Sequence, residues 1–120
     1  MDDRKAFWLA AAERYIEECC RNGSSVRVSE FAVIMERSAV QLAREFQSSV
    51  GAGVKDYFSR RQIDCAKELL RTTGQSTAQI AIDSGYGTAR TFYRAFKRSA
   101  GQSPTAFRKE MSLGDPEFEP

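Results

Sequence analysis

Histidine is absent from this 120-residue chain, which removes the commonest general base and the commonest metal ligand together. Cysteine is scarce. Cys19, Cys20 and Cys65 form an odd set with no repeating spacing, which argues against a disulfide framework and fits a reducing cytoplasm. Long apolar runs are missing as well: the longest, Phe7 to Ala12, is far too short to cross a bilayer, and no segment reads as a signal peptide. Nor is there a glycine-rich phosphate loop, a metal-ligand spacing or a nucleophile–base pattern. These gaps weigh against catalysis. They leave no residue to assign to a catalytic, metal or cofactor role.

What is present is an uneven charge. Residues 1–52 carry seven Lys/Arg against eight Asp/Glu, residues 53–108 ten against four, and residues 109–120 one against four. The bland net charge of +2 therefore hides a block of +6. Such a block fits a footprint for a polyanion, although a solvated face would look the same.

The apolar pattern is helical throughout, and no strand pattern of useful length occurs. A first helix is expected from about Asp3 to Arg21, with Phe7, Ala11, Tyr15 and Ile16 as its apolar stripe, stopped by Asn22-Gly23. Trp8 is left to pack against its own domain or against a neighbour outside the chain. A short helix follows from about Val28 to Met35. Ser38 and Gln41 then form an S-x-x-Q capping box that opens a helix running to about Ser49 and ending at Gly51. The longest helix runs from Val54 to Thr72, with Ile63, Ala66 and Leu70 as its stripe and Gly74 closing it. A second box, Ser76 with Gln79, opens a short helix through Ile80, Ala81 and Ile82, broken at Gly85. Thr88 is the expected cap of a helix over about Ala89 to Ser99, and Ser103-Pro104 starts a last one to about Met111. The fold class is all-α, with about seven helices. Residues 3–52 and 75–111 read as two units joined by the helix 54–72, and the acidic tail 112–120 reads as disordered.

The two units repeat one another. Phe46, Gly51 and Tyr57 recur fifty residues later as Phe96, Gly101 and Phe107, with Leu42 and Arg44 answered by Phe92 and Arg94. Upstream, Phe31-Ala32 answers Ile80-Ala81 at a shift of 49, so one residue differs in the turn between. Short helix, tight turn and second helix is the helix-turn-helix plan, whose second helix lies in the major groove. Such a helix buries one face and offers donors on the other. With Leu42 and Phe46 buried, Val40, Gln41, Ala43, Arg44 and Gln47 are left outside; with Phe92 and Phe96 buried, Arg90, Thr91, Tyr93, Arg94 and Lys97 are. Arginine can bridge O6 and N7 of guanine, glutamine N6 and N7 of adenine, and an apolar side chain can touch the thymine methyl. To phosphates we assign Ser38, Lys55, Ser76, Thr88, Lys97 and Arg98.

From about Ala12 to Lys109 the chain resembles the DNA-binding domain of the AraC/XylS family of bacterial transcription regulators. The family pattern is met by Ile80-Ala81, Gly85-Tyr86, Phe92 and Phe96-Lys97, Gly101 with Pro104, and Phe107-Arg108. The resemblance implies two helix-turn-helix subdomains on a connecting helix, which at ~1.5 Å per residue spans about 27 Å against the ~34 Å turn of B-DNA. It also implies that Val40, Ala43 and Arg44 face bases from the first copy, and Ala89, Arg90, Thr91, Tyr93 and Arg94 from the second. The implied partners are double-stranded promoter DNA and RNA polymerase, with no membrane; the chain reads either as a stand-alone regulator controlled by its abundance or as the DNA-binding fragment of a longer protein with an effector or dimerisation domain. Three departures stand out. Glu36 occupies a turn position where the family often has glycine, which leaves that turn open to reshaping. Gln62 replaces a usual arginine, which puts any phosphate or structural role there in question. Ala43 and Ala89 offer only methyl groups, so readout is expected to lean on Arg44, Arg90 and Arg94.

Two other readings remain. A helical protein-interaction module would explain the core equally well but not the matched arginines. Vicinal Cys19-Cys20 could be a redox sensor, but the neighbouring Glu17 and Glu18 would raise a thiol pKa rather than activate it.

Overall fold

The structure, a computed structural model, describes residues 3–114. Seven helices follow in chain order: α1 (Asp3–Asn22), α2 (Val28–Ile34), α3 (Ala39–Val50), α4 (Val54–Thr72), α5 (Thr77–Asp83), α6 (Ala89–Ala100) and α7 (Pro104–Gly114). No strand occurs among the described residues. The last helix continues three residues past its expected end, so the first part of the expected tail is helical; residues 115–120 lie outside the described residues.

Local chemistry sets most of these ends. Ser38 accepts from the Gln41 amide while Gln41 Oε1 accepts from the Ser38 amide, a complete capping box at α3. At α5 the box is only half made. Ser76 accepts from the Gln79 amide, but the Gln79 side chain turns to Asp83 at 3.1 Å instead. The end of α4 also differs from expectation, because Gly74 does not cap it. Thr73 takes an extended backbone there, and its hydroxyl donates to Leu69 O at 2.6 Å.

The helices enclose two cores that share α4. The first is aromatic: Trp8, Tyr15, Phe31, Phe46 and Phe58 gather around Leu42, with Tyr15 stacked on Phe31 at 5.3 Å between centroids. The second holds Ile63, Leu70, Ile80, Phe92 and Phe96. The first half of α4 thus belongs to one core and its second half to the other. On α1 the buried stripe is Trp8, Ala12, Tyr15, Ile16 and Cys19, one residue on from the expected Phe7 and Ala11; Phe7 stays 55% exposed. Trp8 is the reason. Its indole fills the space against Phe31 and Phe46, edge-on at 6.3 and 6.2 Å, so it packs within its own domain.

Polar contacts pin the halves where α1, α4 and α5 meet. The Val26 amide donates to Gly85 O at 3.0 Å, and Gln62 Nε2 donates to Ser84 O at 3.3 Å. The molecule is elongated, 50 × 31 × 23 Å.

Candidate nucleic-acid interface

Both short helices turn into the next helix through the same backbone hydrogen bonds. In the first copy Met35 donates to Phe31 O, Glu36 to Val33 O and Arg37 to Ala32 O, at 2.9, 3.0 and 2.9 Å. In the second, Ser84 donates to Ile80 O, Gly85 to Ile82 O and Tyr86 to Ala81 O, at 2.9, 3.0 and 3.0 Å. Glu36 adopts the left-handed region at φ 57°, as Gly85 does at φ 88°. The missing glycine therefore does not reshape the first turn. The second copy has one more residue between this point and its cap, Thr88 against Ser38. Tyr86 there packs on Phe92 at 5.4 Å, while its counterpart Arg37 stays at the surface, paired with Glu45 at 2.6 Å.

On α3, Leu42 and Phe46 are fully buried, and Val40, Ala43, Arg44 and Gln47 lie on the exposed remainder. At 3.6 residues per turn Val40, Arg44 and Gln47 form one stripe opposite the buried pair. Val40 is 66% exposed, an apolar side chain held in water by a helix that has buried its other face. Gln47 lies at the far end of the stripe, its Oε1 close to Gly53 in the turn to α4. Gln41 is exposed on the same helix, with its Oε1 accepting from the Ser38 amide in the cap and its Nε2 left as the group to offer outward.

On α6, Phe92 and Phe96 are fully buried and Arg90, Thr91, Tyr93, Arg94, Lys97 and Arg98 are exposed. Among the described residues no ion pair engages Arg44, Arg90, Arg94, Lys97 or Arg98, whereas Arg37, Arg61 and Arg71 each hold a carboxylate. Ala89, the first residue of α6, is half buried and packs against the second core. Tyr93 is exposed, but its hydroxyl is 2.8 Å from Thr77 Oγ1, which ties α6 to the first turn of α5. Among the phosphate candidates, Ser38 and Ser76 accept at their caps, leaving the hydroxyl proton as the group to offer outward. Thr88 differs, because it accepts from the Thr91 amide and also donates to Thr91 Oγ1 at 2.9 Å, so its proton is spoken for. Lys55 is exposed in the first turn of α4.

Two arginines escaped the sequence reading. Arg60 of α4 shares a groove with Arg98 of α6, and Arg4 of α1 shares one with Arg44 of α3. Neither stands at a repeat-related spacing from its neighbour, so no pattern in the sequence marks them.

Two solved structures share this arrangement. The DNA-binding domain of AdpA, determined in complex with a target DNA, superposes with a TM-score of 0.76 at 20% identity, over 88% of this chain and 96% of that one. A transcriptional regulator of the AraC-type DNA-binding class from Chromobacterium violaceum gives 0.71 at 20% identity, over 94% and 96%. At that identity the likeness speaks to the fold. Among sequences, the Msm operon regulatory protein of Streptococcus mutans is 33% identical over 89 residues, 74% of this chain and 32% of that protein. The helix-turn-helix domain family matches residues 31–110, from α2 into α7. The chain belongs to the AraC-type helix-turn-helix family. It spans about a third of the length of the curated relatives it matches.

Within this AraC-type frame, one departure and one residue of the shared pattern find their places. Gln62 is buried and bonded to Ser84 O, so the position where the family usually has arginine retains a structural role at the turn before α6. Arg108, from the aromatic–arginine pair, is structural too. Its Nε and Nη2 donate to Leu70 O and Thr73 O at 3.2 and 3.1 Å, capping the carbonyl end of α4.

Proposed function

We propose that this chain binds double-stranded promoter DNA sequence-specifically as the DNA-binding part of a transcription regulator, with α3 and α6 in successive major-groove segments. The observation that carries the reading is the pair of matched turns, each followed by a helix that presents guanidinium groups outside any ion pair among the described residues. Arg44 on α3, and Arg90 and Arg94 on α6, are the base readers, with Val40 offering an apolar contact to a thymine methyl. Lys97 and Arg98, at the far end of α6, hold phosphates, with Lys55, Ser38 and Ser76 as lesser contacts. The second copy supplies more of the backbone affinity, since it carries most of the positive block. Activity on a promoter places the chain in the cytoplasm with the nucleoid. Activation through RNA polymerase, and an effector or dimerisation domain in a longer protein, follow from the same reading.

A salt titration tests it. Binding to mixed-sequence duplex DNA should weaken steeply with salt as condensed counterions compete, with log K falling by ~0.9 per phosphate engaged. Lys97→Ala should weaken all sequences alike and reduce that slope by about 1. Binding that is absent, or indifferent to salt, overturns the proposal.

A further inference from the structure

Away from the recognition helices, α1 and α4 leave an open groove of about 370 Å³ between them. Cys20 from α1 and Cys65 from α4 both line it, each half-buried, with their thiols neighbours across the helix interface. Cys19 is not part of this pair. It is buried on the adjacent face of α1, with its sulfur 3.8 Å from Ser25 O, and burial pushes its thiol up. The adjacency of Cys19 and Cys20 in sequence thus hides the contact that matters, which joins residues far apart in the chain.

The pair is chemically unequal. The neighbouring Cys20 thiol draws the Cys65 thiol below its usual range, against burial and the Asp83 carboxylate, and the Arg61 guanidinium one turn earlier on α4 adds to the lowering. Cys20 moves the opposite way, raised by Cys65 and then by burial. Cys65 is therefore the thiol that ionises first, with Cys20 beside it, and the open groove they both line admits a small reagent. This is the arrangement of an attacking and a resolving thiol.

We propose that Cys20 and Cys65 form a hydroperoxide-reactive dithiol whose oxidation joins α1 to α4. The Cys65 thiolate attacks one oxygen of the hydroperoxide: the S–O bond forms, the O–O bond breaks, and the leaving oxygen takes up a proton to depart as alcohol or water. The Cys20 sulfur then attacks the Cys65 sulfenic sulfur. The S–S bond forms, the S–O bond breaks, and hydroxide departs as water with the Cys20 proton. Two thiols are oxidised, and the hydroperoxide is reduced. The loop so closed contains α2 and the recognition helix α3, and ties the first helix-turn-helix to the connecting helix.

The test uses hydrogen peroxide in stoichiometric amount on the full chain, followed by alkylation of remaining thiols and unreduced peptide mapping. The expected product is lighter by two hydrogen atoms, joins the Cys20 and Cys65 peptides, leaves Cys19 alkylated and is reversed by dithiothreitol. Its thermal midpoint should exceed that of the reduced chain, and in Cys20→Ser the sulfenic acid should persist on Cys65 and be trapped by dimedone. A disulfide between Cys19 and Cys20, a disulfide between two chains, a Cys20→Ser protein without the Cys65 adduct, or three thiols still alkylatable after peroxide would each overturn the assignment.

Discussion

Glu36 holds a left-handed backbone, φ 57°, at a turn whose counterpart is Gly85. The two positions share hydrogen bonds but not surroundings. Glu36 is exposed, so its Cβ meets only the backbone penalty, about 1–2 kcal/mol for an L residue in this region. A Cβ on Gly85 would also come within 2.6 Å of Val26 Cγ2, so glycine is required there and merely preferred at Glu36. Glu36→Gly should accordingly stabilise the chain by ~0.5–1 kcal/mol after the ~0.5–1 kcal/mol entropy cost of glycine, read as a rise in the urea midpoint. Tyr86 offers a second test at this scale. Its hydroxyl is buried without a hydrogen-bond partner, and burial pushes its pKa up from 10.0 to about 12. The stability tied to that shift is whole below pH 10 and is lost between pH 10 and about 12, because the unfolded tyrosine ionises first. Tyr86→Phe should gain ~1 kcal/mol at neutral pH, by removing the unsatisfied hydroxyl, and should flatten the alkaline loss of stability. Tyr15 and Tyr57, also raised chiefly by burial, will leave a residual slope.

Among the helices, α4 is the one whose stability depends most on a distant side chain. Its last carbonyls are met by Arg108 of α7, so Arg108→Ala should cost ~1–2 kcal/mol and speed amide exchange in the final turn of α4, while leaving the first core protected. An unchanged urea midpoint would show that water replaces the guanidinium at no cost. This cap illustrates where the sequence stops being readable. Helix ends set by neighbours along the chain were legible, as in the Ser38–Gln41 box, the Thr88 cap and the glycine ends Gly51 and Gly101. Ends and positions set through space were not. Nothing in the spacing says that Gln79 will prefer Asp83 to the Ser76 amide, that Arg108 will replace Gly74 as the stop of α4, or that Cys20 faces Cys65. The α1 stripe held at Tyr15 and Ile16 but slipped by one residue at Phe7 and Ala11 for a related reason, since Phe7 and Trp8 fit the helical period equally well and only the space against Phe31 and Phe46 chooses the indole. The buried pairs of α3 and α6 were legible because an amphipathic helix has one choice of face. Which outward residues keep their polar groups free was not, as Gln41 and Thr88 show.

Across the whole molecule, one helix threads two cores, and each core presents an outward helix with its own chemistry. α3 offers Val40, Arg44 and Gln47; α6 offers Arg90, Arg94, Lys97 and Arg98. The likeness of the two turns makes the scaffolds equivalent, and under the proposed function the unlike faces would read different bases. One chain should therefore recognise an asymmetric site, with the α6 half contributing more of the salt-dependent affinity. The decisive measurement is selection of bound duplexes from random DNA by the wild-type chain, Arg44→Ala and Arg94→Ala. Each variant should relax preference by ~1–3 kcal/mol at its own base pair, the two lying in different halves of an asymmetric motif. Unchanged preference in both variants, or relaxation at the same base pair, would contradict a division of reading between α3 and α6.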